Sequence, residues 1–449
     1  MRVTDKQGNR LTGANAEAAA FYAEAVEAYQ LYRGDPVALA DQAIAAAPEF
    51  VMAHILKAYL FALATEPEAA AGAAAIVDGV SRLPMNECEA SHLGVINCVL
   101  AGDWTAAAHL LDLHNMRYPH DVVALQAGHL IDFFRANARN LRDRLARVLP
   151  LWSKDMPGYS VLLGMYSFGL EESGDYALAE DVGREALGLE PLDCWAHHAV
   201  AHVMEMQGRP DDGLAWMNTR EPHWSAEDNL FKVHNWWHKA VYCLDLGKDK
   251  EALSLYDGPI RETKSAVAVD LVDASSLLWR ISLAGYDVGQ RWTELSDAWE
   301  PLADGKLYPF NDWHGVMAQL GADQPDRVTD ILTAYRNVNA GNEIDVWKRK
   351  TGLPLIEGFT SFWRGDYERA VERLFAARHI VNSFGGSHAQ RDIIDLTLVE
   401  AAIRSGKAEI ATALSNERMA LKPNSLSNQQ LALRAAGSAT MRRPAARAI

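Results

Sequence analysis

The tripeptide Gly-Asp-Trp at 102–104 recurs down the chain, little changed, as GDY at 174, GRP at 208, GKD at 247, GDY at 365 and GKA at 406. Each copy separates two Ala- and Leu-rich stretches of roughly 12–16 residues whose apolar positions repeat with helical period. Gly174 and Gly208 lie 34 residues apart, and Gly102 and Gly174 are each followed seventeen residues later by a proline, Pro119 and Pro191. A small residue stands five positions after every one of these glycines: Ala107, Ala179, Gly213, Ala252, Ala370 and Ala411. A small side chain at that point lets two helices pack closely behind a tight turn. Period-two alternation is nearly absent. A chain with this punctuation is confined to helical hairpins.

The 34-residue helix–turn–helix period with Gly-Asp-Tyr turns resembles the tetratricopeptide repeat, TPR. The resemblance implies an all-α fold, a right-handed α-solenoid of TPR-like hairpins closed around a concave pocket. Other spacings are irregular, 39 from Gly208 to Gly247 and 41 from Gly365 to Gly406, so the array is degenerate, with longer helices inserted. The expected organisation is N-terminal helical repeats over 1–180, TPR-like repeats carrying the site over 181–435, and a flexible tail over 436–449. That tail ends in SATMRRPAARAI, where Arg and Pro occur without periodicity.

Composition narrows the partners. A net charge of −16 argues against nucleic acid or an anionic membrane as the main partner and favours neutral or cationic ligands. Hydrophobic content of 49% with 23% charged residues is that of a globular chain. No apolar run approaches the roughly 18–20 residues that span a bilayer, and the first residues lack the apolar region of a secretory signal. Cys88, Cys98, Cys194 and Cys243 form no CxxC pair, which fits a reducing, cytoplasmic setting, and each reads best as a small buried apolar residue.

Histidines are the anomaly. WAHHAVAHVMEMQGR at 195–209 and HNWWH at 234–238 put imidazoles at helical spacing on neighbouring helices. In tetratricopeptide repeats the turn glycine falls near position 15, and positions 2, 5, 9 and 12 face the groove. Carried over by resemblance, Gly208 at 15 sets His198, His202 and Glu205 at 5, 9 and 12, with His197 pointing elsewhere. Gly247 at 15 sets His234 at 2, Trp237 at 5 and His238 at 6. At ~100° per residue these groups share an arc of about 120°. Each could equally be a hydrogen-bonded core residue; two His-x-x-x-His pairs and a carboxylate in matched phase point to a site.

Two later stretches add candidates. In PFNDWHGVMAQ at 309–319, Asp312 is either the N-cap of a helix or, with His314, part of the polar cluster. In FGGSHAQRD at 384–392, Ser387 and Gln390 have capping-box spacing, and a helix N-terminus beside Arg391 could seat a carboxylate or phosphate. Asp392 could pair with Arg391 or with a groove histidine. Eleven of the thirteen tryptophans lie between Trp195 and Trp363, and Trp237 is the one in phase to wall a pocket.

AHVMEMQGR, HNWWHKAVYCLDLGKDKEALSLYD, VGQRW, FNDWHGVMAQLGA, GGSHAQRD and LKPNS, in that order from about residue 190 to 425, resemble the tetratricopeptide repeat protein 38 family. The resemblance implies the fold and marks His198, His202, Glu205, His234, Trp237, His238, Asp312, His314, Gln390, Arg391 and Asp392, but it implies no particular reaction. On these residues the favoured expectation is a hydrolase. His198, His202, Glu205, His234, His238, Asp312 and His314 would activate water on an amide or ester, and Trp237, His388, Gln390, Arg391 and Asp392 would bind the substrate. No GxSxG elbow is present, which disfavours a serine nucleophile. No cofactor is certain from the residues; a divalent metal would take His198, His202, Glu205, His234 and His238, although HExxH is absent. The alternatives are a TPR scaffold binding a peptide or protein partner in its groove, and a sensor binding a small molecule without chemistry.

Overall fold

The computed structural model describes residues 3–338 and 341–442, with backbone alone over 438–442. Among the described residues all regular structure is helical, from Ala16–Leu31 to Leu426–Arg442, beside two isolated bridges, Thr4 with Arg10 and Arg33 with Asn229. The fold is all-α, of the TPR-like α-solenoid class. Its hairpins include Glu87–Leu100 with Trp104–Arg117, Val122–Phe134 with Ala138–Val148, Pro309–Gly321 with Pro325–Arg336, and His388–Arg404 with Ala408–Leu421.

The turn chemistry explains the hairpins. Gly102, Gly174, Gly208, Gly247, Gly365 and Gly406 all have φ between 63° and 85°, the left-handed region. Each stands two residues after its first helix ends and two before the second begins. The following N–H then reaches back five residues, as in Asp103 N to Cys98 O and Asp175 N to Leu170 O, each 2.9 Å. This Schellman geometry satisfies carbonyls that the helix end would leave orphaned, and glycine adopts it without steric cost. Ala136 and Asp323 hold the same place with φ of 52° and 55°, and Thr65 (φ 58°) serves a further turn, so hairpins also form where the sequence shows no glycine.

The small positions are where helices touch. Ala107, Ala179, Ala252, Ala370 and Ala411 are fully buried. A Cβ on Gly213 would lie 2.2 Å from the Tyr242 ring. Helix starts are set locally by side-chain caps: Asn15, Asp121, Asn137 and Asp366 each accept a backbone N–H three residues on, and Asn86 with Glu89 forms a capping box. The wider spacing of the later repeats sits partly in connections, such as the π-turn Tyr256–Ile260 and the segment 378–387.

By its contacts the chain divides into two compact units. The first comprises Met1–Val203, Glu221–Lys232 and Ala340–Val346; the second comprises Met204–Arg220, Val233–Asn339 and Trp347–Ile449. This division interleaves segments that sequence order groups as 1–180 and 181–435. The last helix runs to Arg442, into the segment expected as a tail, and 443–449 lie outside the described residues. No helix among the described residues is long and apolar enough to cross a membrane.

Candidate functional site

In the first unit, His198 and His202 lie one turn apart on the helix Cys194–Met206, with ring centroids 4.3 Å apart. His198 stacks on Phe168 at 5.4 Å and meets Phe231 edge-on at 5.0 Å. The His202 Nδ1 lies 3.4 Å from the Glu171 carboxylate, and both side chains are fully buried. His197 turns the other way and stacks on Trp224. Trp195, beside His198, donates its indole N–H to His129 Nε2 at 3.1 Å. Burial, aided by the Arg144 charge, pushes His129 down to about 3, so it stays neutral.

In the second unit, the helix Lys232–Asp245 carries His234, Trp237 and His238. The two imidazoles sit 4.8 Å apart at right angles, and Trp237 stacks on His234 at 5.4 Å. Each ring is held by a carboxylate from another helix. His234 Nδ1 lies 2.9 Å from Asp273, and His238 Nδ1 lies 3.1 Å from Glu205 Oε2. Both rings and both carboxylates are buried. A carboxylate on Nδ1 keeps that nitrogen protonated and leaves Nε2 as the basic one. The other Glu205 oxygen accepts from Lys422 Nζ at 3.2 Å. Burial works against the Lys422 ammonium, but Glu205 and Asp245 outweigh it and hold its pKa above the ordinary lysine value.

The geometry recasts part of the expected ligand set. Glu205 is committed through both oxygens, to His238 and to Lys422, and so acts as an orienting carboxylate. A metal in this unit would take the Nε2 atoms of His234 and His238, whose outer nitrogens already carry the carboxylate contacts that metal-ligating histidines show.

The same helices border a cavity of about 370 Å³, lined by Asp245, Arg280, Asp392, Arg418, Lys422 and Arg434 among others. Most of its charges are paired. Asp392 takes both ends of the Arg418 fork at 2.7 and 3.1 Å, and the cations outweigh its burial, lowering it to about 2. Arg434 and Arg404 share Glu400. Arg280 differs: only 5% exposed, it donates to the Ala389 and Ser276 carbonyls and lies 5.4 Å over the Trp237 ring. Among the described residues no carboxylate pairs with it. Burial lowers its pKa, which is the signature of an under-compensated cation.

Other expected residues stand apart. Asp312 is not an N-cap, since Tyr308 holds that place and Asp312 is the fourth residue of its helix. It accepts the Gly305 N–H at 3.0 Å and the Tyr335 hydroxyl at 2.7 Å, and neither partner belongs to the histidine set. Burial raises it to about 7. His314 gives its Nδ1 to its own helix, at the Phe310 carbonyl 2.8 Å away, and burial pushes it down to about 3. Ser387 and Gln390 form the expected capping box, with His388 opening the helix. Arg391 donates to the Gly385 and Gly386 carbonyls, clamping the loop beneath it. Asp392 pairs with Arg418 in place of either expected partner, because the Arg418 fork reaches it first from the next helix.

No family model matches the chain. Distant structural likenesses are to the APC/C hetero-tetramer Cut9–Hcn1, with 12% identity over 93% of this chain and 76% of that one at a TM-score of 0.43, and to the human IFIT1 dimer with PPP-AAAA. The latter has 12% identity over 87% of this chain and 91% of that one, at a TM-score of 0.42. Likenesses this distant assign no function to the chain.

Asp273, Arg280 and Lys422 escaped the sequence reading, yet a signal for Asp273 exists. Asp273 and Ser276 lie 39 residues after His234 and Trp237, the spacing that separates Gly208 from Gly247, and Ser276 accepts the Trp237 indole N–H at 2.8 Å. A polar partner one repeat downstream is what stacked hairpins supply. Lys422 meets Glu205 across 217 residues and leaves no local mark.

Proposed function

We propose that this TPR-like protein is a hydrolase-type enzyme for a small molecule bearing an acidic group. The observation that carries the reading is the pair of buried imidazoles, His234 and His238, each locked through Nδ1 by a carboxylate from a separate helix. A ring so fixed takes a proton from water at Nε2, and the carboxylate stabilises the imidazolium that results. The hydroxide formed attacks an amide or ester carbonyl, and the imidazolium returns the proton to the leaving group. Arg280, packed on the same indole as both rings, holds the acidic group by a charge-assisted bond. Water attack needs no cofactor; a divalent ion on the two Nε2 atoms would sharpen the same water. The motifs that resemble the tetratricopeptide repeat protein 38 family include His234, Trp237, His238 and Glu205 without naming a reaction.

The test is a panel of carboxylate-bearing amides and esters offered to the purified full chain. His238→Gln should lower kcat by about 10²–10⁴ while leaving binding intact. Arg280→Met should raise KM about tenfold or more at little change in kcat. Binding without turnover would leave a ligand sensor. A chain that neither binds nor cleaves any member, and whose variants behave like the parent, would return these groups to the core of a protein-binding scaffold.

A further inference from the structure

A second cluster lies wholly within the first unit, on residues the sequence reading passed over as ordinary. Cys88 and His92 stand four apart on the helix Glu87–Leu100, so their side chains share one face. His114 comes from the last turn of the partner helix Trp104–Arg117, and Asp121 caps the next helix, Val122–Phe134. Three consecutive helices thus deliver a sulfur, two imidazole nitrogens and a carboxylate oxygen to one point. Asp121 Oδ2 lies 2.9 Å from His92 Nε2, 3.2 Å from His114 Nε2 and 3.5 Å from Cys88 Sγ. Cys88 Sγ lies 3.9 Å from His114 Nε2, and all four donor atoms fall within 4.8 Å of one another.

We propose that Cys88, His92, His114 and Asp121 form a structural site for a tetrahedral transition-metal ion of the zinc class. Bonds of about 2.0–2.3 Å to N, O and S ligands put neighbouring donors of a tetrahedron ~3.3–3.8 Å apart, which small rotamer adjustments of this cluster satisfy. The outer shell is already in place. His92 Nδ1 lies 3.1 Å from the Tyr59 hydroxyl, and His114 Nδ1 lies 3.0 Å from the Ser91 hydroxyl. Both rings therefore turn Nε2 inward, as second-shell bonds do in metal centres. Asp121 Oδ1 accepts the Ala124 N–H, which orients the carboxylate and reserves Oδ2 for the centre.

Charge and closure fit as well. A thiolate and a carboxylate neutralise a divalent ion, so the loaded site carries no net charge into the interior; binding releases the thiol proton to solvent. His92, His114 and Asp121 are buried and all four positions are protein ligands, which is the pattern of a structural rather than a catalytic ion. The ion would tie two hairpins together across the turn at 118–121.

Cobalt(II) titration of the metal-stripped full chain tests this. The expected result is about one equivalent bound tetrahedrally, with visible d–d bands and a near-ultraviolet thiolate charge-transfer band. Cys88→Ser should remove the charge-transfer band, and His92→Gln should lower affinity at least ~10-fold, with far-UV circular dichroism confirming that each variant is folded. Zinc should displace the cobalt and raise the thermal midpoint of the parent. A parent chain that shows no thiolate–cobalt band, or a band that survives Cys88→Ser, overturns the proposal. Ions held by imidazoles elsewhere lack that band and are counted separately.

Discussion

Replacing Asp312 by Asn should change how stability depends on pH, and the structure fixes the sign. Asp312 is fully buried, and burial lifts its pKa from 3.8 to about 7 against the opposing bonds from Tyr335 and Gly305; Asp304 adds to the rise and Lys348 opposes it. Between those two values the folded chain keeps a proton that the unfolded chain releases. Asp312 therefore stabilises the fold at low pH, and that contribution is lost as pH rises from about 4 to 7. At 1.36 kcal/mol per pH unit the full effect is about 4 kcal/mol, an upper bound for a group with two native hydrogen bonds. His129 and His314 act in the opposite sense. Burial takes both from 6.5 to about 3, so their contribution is present above 6.5 and disappears as pH falls. Two imidazoles outweigh one carboxyl, so the parent should still lose stability on acidification. The Asp312 term appears only in the difference. Urea midpoints of parent and Asp312→Asn, taken from pH 5 to 8, should diverge in favour of the variant by ~1 kcal/mol per pH unit up to about 7 and run parallel above it. Parallel curves throughout would show that Asp312 titrates normally and that its burial is better compensated than these bonds indicate.

The turn and packing arguments have their own tests. Gly174 has φ 85° with nothing within 4 Å of an added Cβ, so Gly174→Ala should destabilise through backbone strain alone, by about 1–2 kcal/mol in chemical denaturation. Ala136→Gly, at the equivalent turn, should gain up to ~1 kcal/mol, and a loss there would refute the shared turn geometry. Gly213→Ala drives a methyl into the Tyr242 ring at 2.2 Å and should lower the thermal midpoint by an amount equivalent to about 1–3 kcal/mol, much of it relieved in a double variant with Tyr242→Ala.

These cases show what the sequence could and could not convey. The hairpins at Gly102, Gly174, Gly208, Gly247, Gly365 and Gly406 were legible because glycine is the residue a left-handed turn selects. Those at Ala136 and Asp323 were not, since neither residue marks a left-handed turn as glycine does, although aspartate tolerates that backbone. Helical phase brought His234, Trp237 and His238 together correctly, because spacing on one helix is rigid. It gave no partner for Asp312 or Asp392, where Tyr335 or Arg418 lies on another helix and has no fixed offset. The cluster at Cys88 was missed for a related reason. A lone cysteine four residues before a histidine says little until two further helices bring His114 and Asp121 to it.

What separates the histidines of this chain is the destination of Nδ1, not the helix face they occupy. His314 spends it on the carbonyl one turn back, a bond any helix offers, and burial, with the Arg280 charge, then lowers its pKa. His234 and His238 reach carboxylates on other helices, and His92 and His114 reach hydroxyls. Each such contact needs a second side chain placed for the purpose, and in the case of Asp273 or Glu205 a buried carboxylate. Burying a carboxylate beside a neutral ring is unfavourable unless a cation compensates it, because desolvation of the anion exceeds what one neutral hydrogen bond returns. A core selected for stability alone would place a hydroxyl or an amide there. Glu205 finds that cation in Lys422, so the need falls on Asp273 behind His234, while the hydroxyls behind His92 and His114 leave Asp121 as the anion of that cluster.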